Sequence, residues 1–144
     1  MPVAVKRAYE KPSPADGTRI LVERLWPRGL KKEAAALDAW LKDVAPSDAL
    51  RRWFHAHPSM WAAFRKKYLA ELSTPAALAG LERLHDLADG RRMLTLVFSS
   101  RNREHNSAVV LKQLLEGMRK PPSTSGPKGA AASAARVARA PRRR

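Results

Sequence analysis

The chain has 144 residues, of which 28 are lysine or arginine and 13 are aspartate or glutamate, so its formal net charge is +15. This length is enough for one domain with one hydrophobic core, and the absence of cysteine excludes disulfides, a thiolate nucleophile and a cysteine-ligated metal. The longest strongly apolar run, Met93 to Phe98, is too short to cross a bilayer, and no apolar segment follows Lys6 and Arg7 as it would in a secretory signal. We therefore expect a cytoplasmic protein without a membrane partner.

The positive charge is distributed unevenly along the chain. Residues 1–118 contain 20 basic and all 13 acidic residues, a net charge of +7, whereas residues 119–144 contain 8 basic and no acidic residues. The second segment is otherwise rich in proline, alanine and serine, and Val137 is its only larger aliphatic residue. Such a composition offers too little apolar surface to offset the entropy of ordering the chain. The sequence therefore predicts one folded domain over 1–118 and a disordered, basic C-terminal tail over 119–144.

Three segments have the composition of β-strands. Val3 to Arg7 and Arg19 to Glu23 are short and aliphatic, and the loop between them contains prolines and an Asp-Gly turn. Met93 to Phe98 is apolar at nearly every position, which is typical of a strand buried on both faces. Strands separated by helical segments predict an α/β fold, a single layered domain in which a small, mostly parallel sheet is flanked by helices.

Capping residues and helical periodicity predict the helices. Glu33 to Leu37 is long enough for one turn, while Ala39 to Val44 is compatible with either extended or helical structure. Ser47 is a good N-cap for the next helix. Pro58 suits the first position of the helix after that, and Thr74, followed by a proline, suits the start of another. The apolar face of the last predicted helix consists of Ala108, Leu111, Leu115 and Met118.

The strongest signal for a binding site is the polar loop between the buried strand and the last helix. The free N–H groups and the positive dipole end of a helix start favour an anion. Hydroxyls, an arginine and an amide in the same loop would add further contacts to a phosphate or carboxylate. The predicted ligand-binding residues of this loop are Ser99, Ser100, Arg101 and Asn106. In the alternative interpretation, a serine caps the helix locally and the arginines of the loop are solvated.

A second loop, after the strand Arg19 to Glu23, adds Arg24, Trp26 and Arg28 to the predicted site. Arginine holds carboxylates and phosphates bidentately. Loops at the carboxyl ends of adjacent parallel strands lie side by side, so we expect the arginines of the two loops to converge. This convergence is the main assumption behind the site. In the alternative interpretation, Arg24 forms a structural salt bridge, for instance with Asp38.

His105 is the candidate catalytic residue, because it opens a helix beside hydroxyl groups and Glu104 and because imidazole titrates near neutral pH. A histidine in such a place is more often exposed or structural, so the sequence leaves open whether the protein is an enzyme. His55 and His57 form a pair that could bind a metal, but no carboxylate stands at a helpful spacing. No cofactor-binding motif occurs either. We therefore predict no metal and no cofactor.

Several motifs follow one another in order between residues 5 and 118. They are Arg24-Leu25-Trp26-Pro27-Arg28-Gly29, Trp40-Leu41-Lys42-Asp43, Ala45-Pro46-Ser47, Leu50-Arg51-Arg52-Trp53-Phe54 and Glu104-His105-Asn106. Together they resemble the YeaO-like branch of the family called domain of unknown function 488. The resemblance implies a small α/β cytoplasmic domain with no established activity. The chain departs from the family pattern at Glu23 and Asn102, where the family usually has aspartate, and at Ala56-His57, where it tends to have His-Asp.

Two functions remain open at this point. In the first, a pocket with Arg24, Arg28 and Arg101 binds an anionic small molecule, and His105 with Asn106 positions the ligand or transfers a proton. In the second, a nucleic acid binds without sequence preference through the basic domain and tail, driven by counterion release. The tail residues of this second hypothesis are Arg136, Arg139, Arg142, Arg143 and Arg144. The tail is also compatible with a dispensable basic extension, and the sequence does not define the oligomeric state.

Overall fold

A computed structural model describes residues 3–118 of the chain. The tail for which we predict disorder, residues 119–144, lies outside this range. The strands are β1 (Val3–Arg7), β2 (Thr18–Leu21), β3 (Ala39–Trp40) and β4 (Leu94–Phe98). The helices are α1 (Lys32–Ala35), α2 (Asp48–Ala56), α3 (Trp61–Glu71), α4 (Pro75–Ala88) and α5 (Ser107–Met118). Short 3-10 turns cover Pro14–Asp16 and Lys42–Val44. None of the helices in the described range is long and apolar enough to cross a membrane.

The four strands form one parallel sheet in the order β1-β4-β2-β3. Strand β4 is therefore central. Its Leu96 pairs with Val5 of β1 on one side and with Ile20 of β2 on the other. All five residues of β4 are buried, as its continuous apolar run predicts. The architecture confirms the predicted α/β class and its small parallel sheet.

One face of the sheet carries the main hydrophobic core. Because side chains alternate along a strand, Leu94, Leu96 and Phe98 of β4 point to the same side, and all three pack in the core formed with α2, α3, α4 and α5. Tyr68 of α3 is completely buried there, and its hydroxyl donates a hydrogen bond to the carbonyl oxygen of Val44. This face therefore holds the long helices against the sheet.

The other face of the sheet is covered by the chain segment that connects β2 to β3, together with Trp40 of β3. Leu21 of β2 and Val97 of β4 lie beneath Trp26 and Trp40 in a separate apolar cluster. The two indole rings meet edge to face, with centroids 5.5 Å apart. Each indole N–H also has a backbone acceptor, Leu30 for Trp26 at 2.7 Å and the Glu23 carbonyl for Trp40 at 2.6 Å. These two tryptophans thus shield Leu21 and Val97 from solvent on this face of the sheet.

The helix starts predicted from Ser47 and Thr74 agree with the structure, but two others are wrong. Helix α5 begins at Ser107, so His105 lies in the turn before it and does not open a helix. The Ser47 hydroxyl accepts a hydrogen bond from the Leu50 N–H at 3.1 Å, and Thr74 caps α4 in the same way. Helix α3, however, begins at Trp61 and not at Pro58. The carbonyl oxygen of His57 accepts a hydrogen bond from the Met60 N–H at 3.0 Å, so the proline lies inside a turn that separates α2 from α3.

A buried ion cluster stabilises the entry to β2. Arg19 is only 3% exposed, and Asp16, which lies 2.7 Å from it, is 8% exposed. Lys6 approaches the same carboxylate at 3.0 Å. The remaining guanidinium N–H groups of Arg19 donate to the backbone carbonyls of Ala35 and Ala36. Every member of the cluster is therefore paired, as buried charges require.

Candidate functional site

A cavity of about 570 Å³ opens where the chain leaves β2 and β4. The loop after β4 contributes Ser99, Ser100, Arg101, Asn102, His105 and Asn106, and the start of α5 contributes Ser107. The segment after β2 contributes Glu23 and Arg24, and α2 contributes Arg51, Phe54 and His55. The cavity thus lies at the carboxyl edge of the sheet, where parallel α/β folds commonly bind their ligands.

The sheet topology explains why these two loops meet. Strands β2 and β4 are neighbours, with Leu21 opposite Val97. The residues that follow them, Arg24 on one side and Arg101 and His105 on the other, line the same cavity. The expectation that the two loops lie side by side is therefore met for these three residues.

Two residues of the predicted site lie elsewhere. Trp26 packs on Trp40 over the second face of the sheet and does not line the cavity. Arg28 is exposed and is also absent from the cavity wall, and its carbonyl oxygen accepts a hydrogen bond from the Tyr9 hydroxyl at 2.7 Å. Between β2 and β3, the cavity wall thus includes Glu23 and Arg24 but no residue from Leu25 to Asp38.

Arg24 lines the cavity, but its guanidinium is already engaged. It donates to the carbonyl oxygen of Ala45 at 2.8 Å and to that of Pro46 at 3.3 Å. The alternative salt bridge from Arg24 to Asp38 does not form, and the Asp38 carboxylate instead accepts the backbone N–H of Arg19 at 2.8 Å. Arg24 therefore ties the loop after β2 to the turn that precedes α2.

Replacing Arg24 with alanine is expected to lower the free energy of unfolding by about 1.5–3 kcal/mol, since two carbonyl groups would lose a charged donor. Arg28→Ala is the matched control from the same loop. Its side chain is exposed, so its effect should stay within about 0.5 kcal/mol. Urea denaturation of both variants measures the difference, and equal stabilities would show that the contacts of Arg24 contribute nothing.

The loop after β4 is held by an arginine that sequence reasoning missed. Arg7 donates from Nε to the carbonyl oxygen of Ser100 at 2.9 Å and from Nη2 to that of Ser99 at 3.2 Å. Arg7 ends β1 and lies opposite Phe98 in the sheet register, which brings it to this loop. Only the strand order reveals the contact, because 92 residues separate Arg7 from Ser99 in sequence.

Two asparagines shape the turn that leads into α5. The Asn102 carboxamide oxygen accepts the backbone N–H groups of Glu104 and His105 at 3.0 and 2.8 Å. Asn106 accepts the Val109 N–H at 3.0 Å and donates to the Asn102 carbonyl at 2.8 Å, so it caps α5. Asn106 lines the cavity, but both ends of its amide are already hydrogen-bonded, the oxygen to α5 and the nitrogen to the loop.

His105, the candidate catalytic residue, is half-buried in the cavity wall. Its ring stacks on Trp61 of α3, with centroids 4.6 Å apart and an interplanar angle of 10°. His55 also lines the cavity, whereas the His57 ring stacks on Trp53, 5.3 Å away. The two members of the His-x-His pair therefore face different surroundings. Across residues 3–118, no group of three or more histidine, cysteine, aspartate or glutamate side chains is arranged to hold a metal ion.

Glu23 lines the cavity although the sequence analysis did not assign it to the site. Its carboxylate accepts the Ser99 N–H at 2.9 Å. Burial raises the pKa of the Glu23 carboxyl above its ordinary value, although hydrogen bonds from Ser99 and the charge of Arg51 act in the opposite direction. Glu23 is the one acidic residue among the described residues of the cavity wall.

Comparison with known proteins agrees with the class that the motifs indicate, a small α/β domain of the family called domain of unknown function 488. The sequence profile described as "Inactive DUF488-N3 subclade" matches residues 2–134. The chain belongs to this family.

Two relatives resemble the chain over most of its length. The Escherichia coli K12 protein named "Uncharacterized protein YeaO" is 43% identical over 118 residues, which cover 82% of this chain and all of the relative. The Mycobacterium tuberculosis H37Rv protein named "Uncharacterized protein Rv3073c" is 44% identical over 115 residues, or 80% of this chain and 94% of the relative. No solved structure matches the chain significantly.

Proposed function

We propose that the protein binds a small phosphate- or carboxylate-bearing molecule in the cavity between the loops after β2 and β4. The observation that carries this proposal is the unpaired guanidinium of Arg101. Its side chain is exposed on the cavity wall, and its guanidinium makes no hydrogen bond or ion pair with any of residues 3–118. An unengaged arginine in a concave site can hold an oxyanion through two parallel N–H donors.

The charges around Arg101 support an anionic ligand. Arg24 and Arg51 also line the cavity, and Glu23 is the one acid among the described wall residues. Arg51 is itself paired with Asp48 at the start of α2, and the hydrogen bonds of Arg24 to backbone carbonyls leave its charge uncompensated. The wall therefore carries net positive charge.

The apolar part of the wall would strengthen this attraction. Phe54 and Phe64 line the cavity, and their rings stack with centroids 4.3 Å apart. Charges that face such surfaces are less screened than charges in bulk water. A volume of about 570 Å³ also suits a small organic molecule better than a bare ion.

Binding without turnover is the form of this function that we favour. The matching family is described as inactive. His105 is fixed by its stack on Trp61, and Asn106 is engaged in capping α5, so both are suited to shaping the wall. In this proposal His105 positions the ligand and transfers no proton.

The proposal is tested by calorimetric titration of the full chain with inorganic phosphate, sugar phosphates and dicarboxylates. Arg101→Ala should weaken binding about 10- to 100-fold, the worth of a charged hydrogen bond. Arg103→Ala is the matched control, because Arg103 belongs to the same loop but pairs with Glu10 and does not line the cavity. Failure of every anion to bind the wild-type chain, or equal losses in both variants, would contradict the proposal.

Non-specific nucleic-acid binding is the second candidate function. Within the described residues it is favoured by Arg65, Lys66 and Lys67, three exposed basic residues in a row on α3. The tail arginines from Arg136 to Arg144 would add to it but lie outside the described residues. This function predicts that affinity for an oligonucleotide falls steeply with salt and is unchanged in Arg101→Ala. Salt-independent affinity would contradict it.

A further inference from the structure

A carboxylate in the cavity wall, that of Glu23, is not expected in a site that binds all anions equally well. Its carboxylate is half-buried in a wall that is otherwise basic or neutral, and no lysine or arginine nitrogen among residues 3–118 lies within 4.0 Å of it. An ionised carboxylate here would repel the phosphate or carboxylate that Arg101 attracts. The residue therefore reduces the affinity for a simple anion.

The fold itself does not require a charge at this position. Among residues 3–118, the one backbone group that donates a hydrogen bond to the Glu23 carboxylate is the N–H of Ser99, at 2.9 Å. An amide oxygen of glutamine could accept the same bond. A carboxylate has about four acceptor sites, and Ser99, even with its hydroxyl included, occupies at most two of them. The Glu23 carboxylate therefore keeps acceptor sites that a ligand can use, because Glu23 lines the cavity.

We propose that Glu23 is the specificity-determining residue of this cavity, selecting anions that also carry an amine N–H donor on an apolar body. This inference rests on the proposed function. The amine donates to the Glu23 carboxylate, the anionic group binds Arg101, and the apolar body lies against Phe54. The ligand class is therefore a zwitterionic amine with an aromatic or similarly apolar body, such as an aromatic amino acid.

The apolar side of the cavity is built for such a body. Phe54 projects from α2 and is only half-buried, although its ring packs on Phe64 at 4.3 Å and on Trp61 at 5.8 Å. The exposed part of the ring lies in the cavity wall together with Pro46 and Pro58. Offset stacking on an aromatic ring in this position would add to the two polar contacts.

Two probes that differ only in the amine separate the alternatives. L-Phenylalanine and 3-phenylpropionate share the ring and the carboxylate, and only the first carries an ammonium group. By calorimetry, the wild-type full chain should bind L-phenylalanine about tenfold or more tighter, as expected for a charged hydrogen bond. Glu23→Gln should reduce this preference to near unity, because the amide keeps the bond to Ser99 but carries no charge.

Glu104→Gln is the matched control, since Glu104 is an exposed acid of the neighbouring loop that does not line the cavity, and it should keep the preference. Circular dichroism verifies that both variants are folded. Equal affinities for the two probes, or binding of inorganic phosphate but of neither probe, would overturn the inference and leave the proposed function standing. Absence of binding of both probes and of inorganic phosphate to the wild-type chain would overturn both.

Discussion

Gly17→Ala is expected to lower the free energy of unfolding by about 4 kcal/mol or more, among the larger effects of a single substitution. Gly17 connects the 3-10 turn Pro14–Asp16 to β2 and has a φ of +65°, which costs an L-residue energy before any contact is considered. A Cβ atom at this position would also lie 2.2 Å from the carbonyl oxygen of Met93. That oxygen accepts the Thr18 N–H at 2.8 Å, so the clash would disturb the pairing of β2 with β4.

Gly29→Ala separates the clash from the backbone strain. Gly29 has a φ of +75°, but a Cβ there would meet no atom within 4 Å. Its replacement should therefore cost only about 1–2 kcal/mol, the strain term alone. Urea denaturation at a common pH measures both variants. A loss for Gly17→Ala no larger than that for Gly29→Ala would show that the chain relaxes away from Met93 at little cost.

Asp16→Asn is expected to cost about 3–5 kcal/mol, because it leaves the buried charge of Arg19 without its carboxylate. Arg19 is 3% exposed and lies 2.7 Å from Asp16. Asp48→Asn is the control, since that carboxylate also pairs with two basic side chains but is 42% exposed. An exposed pair should contribute about 0–1 kcal/mol. Equal losses in the two variants would contradict a special role for burial.

The pKa of Asp16 predicts how the stability of the protein depends on pH. Burial raises the pKa of the Asp16 carboxyl, but hydrogen bonds from Lys6, the Ser13 N–H and Arg19 outweigh it, so the net shift is downward. The stabilisation by Asp16 is then fully present above the pKa of the unfolded chain and is lost as the pH falls through the lower pKa of the folded one. Urea unfolding of wild type and Asp16→Asn from neutral to acidic pH should show a shallower decline for the variant. Parallel curves would contradict this assignment.

Local sequence patterns predicted the main strands and helices because the interactions that define these elements are local. The apolar run of β4 required burial on both faces, and Ser47 and Thr74 cap helices through groups three residues away. Even the meeting of the loops after β2 and β4 followed from parallel strands once the two strands were recognised.

The details of the cavity depend on contacts between distant residues, and for that reason sequence reasoning missed or misplaced them. The engagement of Arg24 by Ala45 and Pro46 and the hold of Arg7 on Ser99 require knowledge of the strand order. Trp26 was assigned to the site from the composition of its loop, whereas the structure uses its ring to cover the sheet. The sequence alone does not distinguish a tryptophan that packs on the sheet from one that stacks on a ligand.

The most direct test of the proposed cavity is to locate the bound anion. In an amide NMR titration of the full chain with inorganic phosphate and with 3-phenylpropionate, the shifts should be confined to Ser99, Ser100, Arg101, His105 and the neighbouring part of α2. In Arg101→Ala the same shifts should require about 10- to 100-fold more ligand. Shifts restricted to the tail between Arg136 and Arg144 or to the basic residues of α3, with the loop after β4 unchanged, would contradict the account.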